Sequence, residues 1–248
     1  MKLQAIILAA GKGTRMKSDI PKPLIKVNGE PMLTTVLRTL DESAVADSPV
    51  IVVGAWTNAI KDHYGSLYQY AVQTEINGTG GAVEVALPYI ETDNAAAPVL
   101  ILYADTPFIS IESLRRLHAH LEQSESVMMM YTVTLPDFSG WREGFTAFGR
   151  VVRDSDGHVD RIVEYKVATA AERLITEVNP AVYCVEASWL ASALSRILPN
   201  PITRERYLTD LVALARADGY GISTIPLPDT ESFGLNSMAD IENVEHLK

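Results

Sequence analysis

At 248 residues, 47% hydrophobic and 21% charged, the chain is long enough to bury a sizeable core and has the composition of an ordinary soluble globular protein. A net charge of −10 excludes a nucleic-acid coat and an anionic-membrane binder, both of which need a basic surface. Its one cysteine, Cys184, excludes an intrachain disulfide; no run reaches a transmembrane length, and the short N-terminal apolar run ends in Gly-Lys, not in a cleavage site, so the chain reads as cytoplasmic.

The first predicted strand is Ala5-Ile6-Ile7, and it runs directly into Leu8-Ala9-Ala10-Gly11-Lys12-Gly13-Thr14-Arg15-Met16. Six residues later comes Lys22, inside Pro21-Lys22-Pro23-Leu24. A glycine-bearing cationic loop thus leaves the carboxyl end of a strand, the edge at which open α/β sheets bind ligands. Gly11 and Gly13 allow a tight turn and let backbone N–H groups approach an anion. Lys12, Arg15 and Lys22 add three positive charges within eleven residues, which a polyphosphate would satisfy. An ordinary strand-to-helix turn is the competing reading. Spacing excludes two other nucleotide fingerprints. A P-loop would need glycine where Ile6 stands, and a dinucleotide motif would need it at Met16 or Val83.

Further along, 31–40 is predicted as a helix entered through Pro31, with Met32, Val36, Leu37 and Leu40 on one face. Strand-like runs follow at 50–53 and 99–102, and 110–122 reads as a helix capped by Ser110 with Leu114 and Leu117 inward. Asp105 stands just past the 99–102 strand, a position equally suited to a metal ligand and to a cap before Pro107. Glu91–Pro98 is expected as a surface loop. Strands at 126–134, 147–153 and 158–165 succeed one another, with Asp154-Ser155-Asp156-Gly157 as a hairpin turn. Runs at 177–185 and 221–226 are the last predicted strands, with an apolar helical stripe over 206–217 between them. Cys184, in an apolar run, reads as a packing residue, and the five histidines show no metal-ligand spacing. The expectation is one α/β domain over 1–248: a Rossmann-like, mostly parallel sheet with helices on both faces and a small antiparallel insertion at about 126–165.

The pattern L-A-A-G-x-G-T-R-M with P-K-P-L resembles the signature of the sugar-1-phosphate nucleotidyltransferases, of the nucleotide-diphospho-sugar transferase type. It is most similar to the uridylyltransferase half of bacterial bifunctional N-acetylglucosamine-1-phosphate uridylyltransferases. The resemblance extends through Gln73–Gly80, Tyr103–Pro107, Phe148–Val151, Ile162–Lys166, Glu177–Asn179 and Gly234–Asn236. It implies transfer of a nucleotidyl group from an NTP, UTP first, to a sugar 1-phosphate, N-acetylglucosamine 1-phosphate first, with release of pyrophosphate and no nucleic-acid or membrane partner. No hexapeptide repeat of a left-handed β-helix is visible, so no acetyl transfer is expected.

Residue by residue, the resemblance implies Arg15 and Lys22 as catalytic cations, with Leu8, Ala10, Gly11, Gly13, Thr14, Gln73, Gly78 and Thr79 around the nucleotide. It implies Tyr103, Gly149, Glu164 and Asn179 around the sugar, and Mg²⁺ on Asp105 and Asn236. Without it, Gln73 reads as a surface residue and Asn236 as a turn before 237–247; Lys166 reads equally as a sugar-phosphate cation or a solvated lysine. Three departures touch the sugar side: Pro180-Ala181 where the family usually has Thr-Gly, Val167 where it usually has aspartate, and a longer Pro136–Thr146 segment. That segment carries Phe138, Trp141, Arg142 and Phe145, and reads equally as a lid over the sugar and as an aromatic patch on the core.

Overall fold

The structure, a computed structural model, describes residues 1–93 and 97–245. In chain order the first half holds β1 (Gln4–Ala9), β2 (Lys26–Val27), β3 (Glu30–Pro31), α1 (Met32–Ser43), β4 (Val50–Gly54), α2 (Ala59–Tyr64), β5 (Gln69–Gln73), α3 (Thr79–Glu84), β6 (Val99–Tyr103) and α4 (Ile111–Leu121). The second half holds β7 (Met128–Thr134), β8 (Arg150–Arg153), β9 (Val159–Val163), β10 (Glu177–Val178), β11 (Tyr183–Val185), α5 (Ala187–Leu194), α6 (Asp210–Ala217), β12 (Ile222–Pro226), α7 (Asp229–Ser232) and α8 (Met238–Glu245).

Ten of the strands form one sheet in the order β5-β4-β1-β6-β11-β7-β10-β8-β9, with β12 on β7. The four strands from β5 to β6 are parallel. The central runs of β1, β4 and β6 are apolar throughout, as strands buried on both faces require, whereas β5 lies at the sheet edge with Val72 exposed. Alternate residues divide between two cores. Ile7, Ile51 and Leu102 pack with Leu33, Val36 and Leu37 of α1 and Leu114 and Leu117 of α4. Ile6, Leu8, Val52 and Ile101 pack on the other face with Val83 of α3, Leu190 and Leu194 of α5, and Leu211 and Val212 of α6. Ser110 caps α4 as expected, its hydroxyl oxygen accepting from the Ser113 amide at 3.1 Å.

The chain leaves β1 toward β4 and β5 on one side, and leaves β6 toward β11 and β7 on the other. The strand order therefore reverses between β1 and β6, and the loops beyond their carboxyl ends diverge to open a crevice.

Several expectations shift. β7 is not part of a separate insertion: it pairs with β11 and β12 in the main sheet, and only β8, β9 and β10 extend it as an antiparallel margin. The run 177–185 divides into β10 and β11, because Pro180 has no N–H to donate and the Asn179 side chain accepts the Ala181 amide at 3.0 Å. The helix in 206–217 starts only at Asp210, because the backbone at Arg206 and Leu208 is held by bonds to Asn77, Gly80 and Thr79. Residues 94–96 of the Glu91–Pro98 loop and residues 246–248, His246 among them, lie outside the described residues. No helix among the described residues is long and apolar enough to cross a membrane.

Candidate active site

The crevice is lined by two adjoining cavities. The first, about 320 Å³, is lined by Leu8, Ala10, Gly11, Gly13, Thr14, Gln73, Gly78 and Thr79, with Arg15, Lys22, Asp105 and Asn236. The second, about 570 Å³, is lined by Tyr103, Gly149, Glu164 and Asn179, and shares Thr14, Arg15, Asp105 and Asn236 with the first. All sixteen residues singled out in the sequence thus face one continuous cleft. Lys12, another cation of the loop, is exposed and outside the lining.

Gly13 sits at φ +60°, and a Cβ there would lie 2.6 Å from Cβ of Lys22. The loop can therefore fold back over the Lys22 stem only because this residue is glycine. The folded loop directs the Lys22 ammonium inward, with its side chain only 11% exposed. There it pairs with Asp105 Oδ2 and donates to Asn236 Oδ1 at 2.8 Å. Arg15 donates to the same Asn236 oxygen at 2.9 Å. Asn236 is brought to Asp105 by the backbone, since the Leu235 amide donates to the Asp105 carbonyl at 2.9 Å. The Asp240 carboxylate then accepts from the amides of Asn236 and Ser237 at 2.8 and 2.7 Å. An anionic and a neutral oxygen thus converge on a single cation position, held here by an ammonium. Two hard oxygens on one point fit Mg²⁺, which takes few protein ligands and keeps waters or phosphate oxygens.

A different group, Asp154, Asp156 and His158, also brings ligand atoms within 4.8 Å of one another. It lies in the β8–β9 turn, where the Asp154 carboxylate accepts from the amides of Asp156 and His158 and pairs with Arg216. These bonds are those of an Asx turn.

In the first cavity Gln73 is 4% exposed, and its amide nitrogen donates to Asn77 Oδ1 at 3.0 Å and to the Gly78 carbonyl at 3.1 Å. In the second cavity Glu164 Oε1 accepts from the Thr209 hydroxyl at 2.9 Å. Desolvation raises the Glu164 carboxyl above the usual glutamate range, and the nearby acids Asp210 and Glu205 push it the same way. Asn179 is buried. Its amide nitrogen donates to the Tyr183 hydroxyl and its oxygen accepts from Ala181, so it braces the turn that shapes the cavity. Tyr103 bonds Thr79, and burial raises its phenol well above the ordinary value. Lys166 is largely exposed and pairs with Glu205 at 3.5 Å. Burial pushes the Cys184 thiol up to about 12, in keeping with a packing residue.

The 136–146 segment takes the packing role. Gly140–Ala147 is a 3-10 helix whose Phe145 is fully buried, with ring centroids of Phe145 and Phe233 5.2 Å apart. Trp141 lies edge-on to Phe145 and tilted against Phe233, and Arg142 pairs with Asp229 at 2.8 Å. Neither lines the cleft, whose lining begins just past this segment at Ala147 and Phe148. Sequence reasoning placed Tyr207 and Thr209 in an apolar helical stripe and so missed them as cleft residues; the helix starts only at Asp210, and the irregular stretch before it lines the second cavity. Sequence reasoning also passed over Arg150, which is fully buried yet donates to the carbonyls of Thr146 and Phe148 and so braces the cleft wall.

The model of the MobA-like NTP transferase domain matches residues 5–200. The chain belongs to this family. Among curated relatives, the bifunctional protein GlmU of Geobacillus thermodenitrificans is 34% identical over 248 residues, covering 100% of this chain and 52% of the relative. That of Geotalea uraniireducens is 39% identical over 248 residues, covering 99% and 52%. The chain therefore spans about half the length of the curated relatives it matches. A solved UDP-glucose pyrophosphorylase in complex with UDP-glucose superposes with a TM-score of 0.78 at 17% identity, covering 100% of this chain and 98% of the other. At that identity the likeness establishes a shared fold. It extends past residue 200 to α8, so the Asn236 loop outside the family match belongs to the same architecture.

Proposed function

We propose that this NTP transferase moves a uridylyl group from UTP to a hexose 1-phosphate, N-acetylglucosamine 1-phosphate first. The observation that carries the reading is the convergence of Lys22, Arg15, Asp105 and Asn236 at the junction of the two cavities. A sugar-phosphate oxygen attacks the α-phosphorus; the new P–O bond forms as the α–β anhydride bond breaks, and its electron pair leaves on pyrophosphate. The nucleophile is already an anion, so no strong protein base is needed and the task is to bring two anions together. Arg15 and Lys22 supply fixed positive charge at the meeting point. Asp105 and Asn236 would hold Mg²⁺, which when bound neutralises phosphate charge. Gln73 and the Gly78-Thr79 turn take the base, while Glu164 and the Asn179-braced turn take the hexose. The relatives named GlmU and the cleft's two-chamber shape support this assignment. The same chemistry with dTTP or another hexose is the nearest alternative, and the departures at Pro180, Ala181 and Val167 all lie on the sugar side. A catalytically inactive sugar-nucleotide sensor is disfavoured because both cations and both oxygen ligands are retained.

The test is a panel of UTP, dTTP, CTP and ATP against several hexose 1-phosphates with Mg²⁺, scored by pyrophosphate release. UTP with N-acetylglucosamine 1-phosphate should give the highest kcat/KM. No pyrophosphate from any pair would overturn the reading.

A further inference from the structure

The amide of Gln73 carries one acceptor and two donors, and it lines the first cavity beside the phosphate loop. Both donors are already taken, by Asn77 Oδ1 at 3.0 Å and by the Gly78 carbonyl at 3.1 Å. The orientation is not arbitrary. A backbone carbonyl can only accept, so the Gln73 atom facing Gly78 must be the nitrogen. The Asn77 atom facing that same nitrogen must then be its oxygen.

The packing around Asn77 holds it there. A Cβ on Gly81 would fall 1.8 Å from Asn77 Oδ1, so a side chain at 81 would evict the Asn77 amide. The backbone of the loop is fastened independently. The Arg206 amide donates to the Asn77 carbonyl at 2.7 Å, and the Gly80 amide donates to the Arg206 carbonyl at 2.8 Å. Arg206 is itself anchored on Glu84 and on the carbonyls of Leu194 and Ile197. The Asn77 side chain therefore serves the Gln73 amide, while the loop's course is set elsewhere.

We infer that Asn77 is a specificity-determining positioning residue: by occupying the second N–H of Gln73, it leaves that side chain able only to accept. An acceptor matches the ring N3–H of uracil or thymine and is repelled by the N3 lone pair of cytosine. This inference rests on the reading of the first cavity as the nucleotide site. Replacing Asn77 with alanine frees one N–H of Gln73, which can then turn to donate to cytosine N3. Aspartate keeps an acceptor at the same place.

The experiment measures equilibrium affinities of UTP and CTP, each with Mg²⁺, for the whole chain by titration calorimetry. No sugar phosphate is present, so the sugar assignment does not enter. The wild type should bind UTP at least about tenfold tighter than CTP, as expected for a site that leaves a wrong partner unpaired. Asn77→Ala should bring that ratio to within about threefold, chiefly by tightening CTP, with the melting temperature recorded in parallel. Gly81→Ala, which displaces the Asn77 amide without removing it, should lower the ratio in the same direction. Asn77→Asp should weaken both nucleotides but keep the ratio, a pattern that a merely structural role does not produce. A wild type that binds UTP and CTP equally would remove the nucleotide reading itself. A wild type that prefers UTP, with the full preference retained in both Asn77→Ala and Gly81→Ala, would overturn the role of Asn77 alone.

Discussion

Lys22 has two possible sets of partners in this cleft. In the ligand-free protein its ammonium neutralises Asp105 and bonds Asn236, the same two oxygens that would hold a metal ion. A metal ion and the ammonium cannot share that point, so on the proposed reading a bound metal would free Lys22 to face the phosphates. Lys22→Ala should therefore lower kcat/KM by roughly 10²-fold or more, the scale of a lost preorganised charge donor. The same variant should bind Mn²⁺ alone no more weakly than the wild type, because the competing cation is gone. A parallel loss of Mn²⁺ affinity would show that Lys22 supports the oxygen pair instead of competing with a metal for it. Glu164 makes a claim about pH. Its folded pKa lies above the ordinary value of 4.5, so between the two values the native state binds more protons than the unfolded chain. Stability from this group is thus full at low pH and declines as pH rises above 4.5 toward the folded value. Thr209 donates to it, while Asp210 and Glu205 oppose its charge and Lys166 favours it. Glu164→Gln keeps an acceptor for Thr209 and removes the charge. Its melting temperature should match the wild type near pH 4 and exceed it at pH 8, while the KM for the sugar phosphate rises. A lower melting temperature at pH 8 would mean that the carboxylate is stabilised by its surroundings.

Among the elements, the turn after β10 carries an identifiable strain. Ala181 sits at φ +61°, a left-handed conformation that costs a residue with a Cβ about 1 kcal/mol or more. Ala181→Gly should relieve this and stabilise the fold by roughly 0.5–1 kcal/mol, after the extra entropy of glycine in the unfolded chain is counted. Chemical denaturation checks it, and an unchanged or lower midpoint at equal slope would show that the Asn179 bracket already absorbs the strain. The elements legible in the sequence were those whose apolar pattern is local. The Ile6-Ile7 and Val99–Leu102 runs are buried on both faces and could hardly be anything but central strands. The loop between Gly11 and Lys22 was equally legible, because glycine and cation spacing is a short-range signal. β5, with Gln69 and Val72 exposed at the sheet edge, carries no such run. α3 begins Thr79-Gly80-Gly81, a poor helix former by propensity, and is held by Arg206 and Leu208, the latter 129 positions from Thr79 in the chain. The aromatic 136–146 segment had the composition of a lid and of a core patch alike, and only the contact of Phe145 with Phe233 separates them. Asn77 gave no sequence signal, since its role exists only once Gly81 leaves room for its amide.

Across the whole molecule, the cleft is assembled from segments that have little else in common. The β1 loop, the β5–α3 turn and the β6 loop come from the parallel half of the sheet. Glu164, Asn179, Thr209 and Asn236 come from the second half of the chain. A ligand spanning both cavities therefore links parts of the fold that unfold together only if the sheet is one cooperative unit. The field favours such a ligand locally, since Arg15 and Lys22 face the cleft in a chain whose net charge is −10. UTP with Mg²⁺ at about a hundred times its dissociation constant should stabilise the native state by about 2.7 kcal/mol. For a chain of this size each kcal/mol moves the melting temperature by about 2–4 °C, so a rise of roughly 5–10 °C is expected. Asp105→Asn removes an anionic oxygen from the cation point while conserving shape and the backbone bond to Leu235. At the same ligand concentrations it should lose most of the rise that depends on Mg²⁺, and its ligand-free melting temperature should stay close to the wild type. If the variant kept the full rise with UTP and Mg²⁺, the metal would have to be bound without Asp105. If its ligand-free melting temperature fell sharply, Asp105 would be a structural partner of Lys22 first and a metal ligand second.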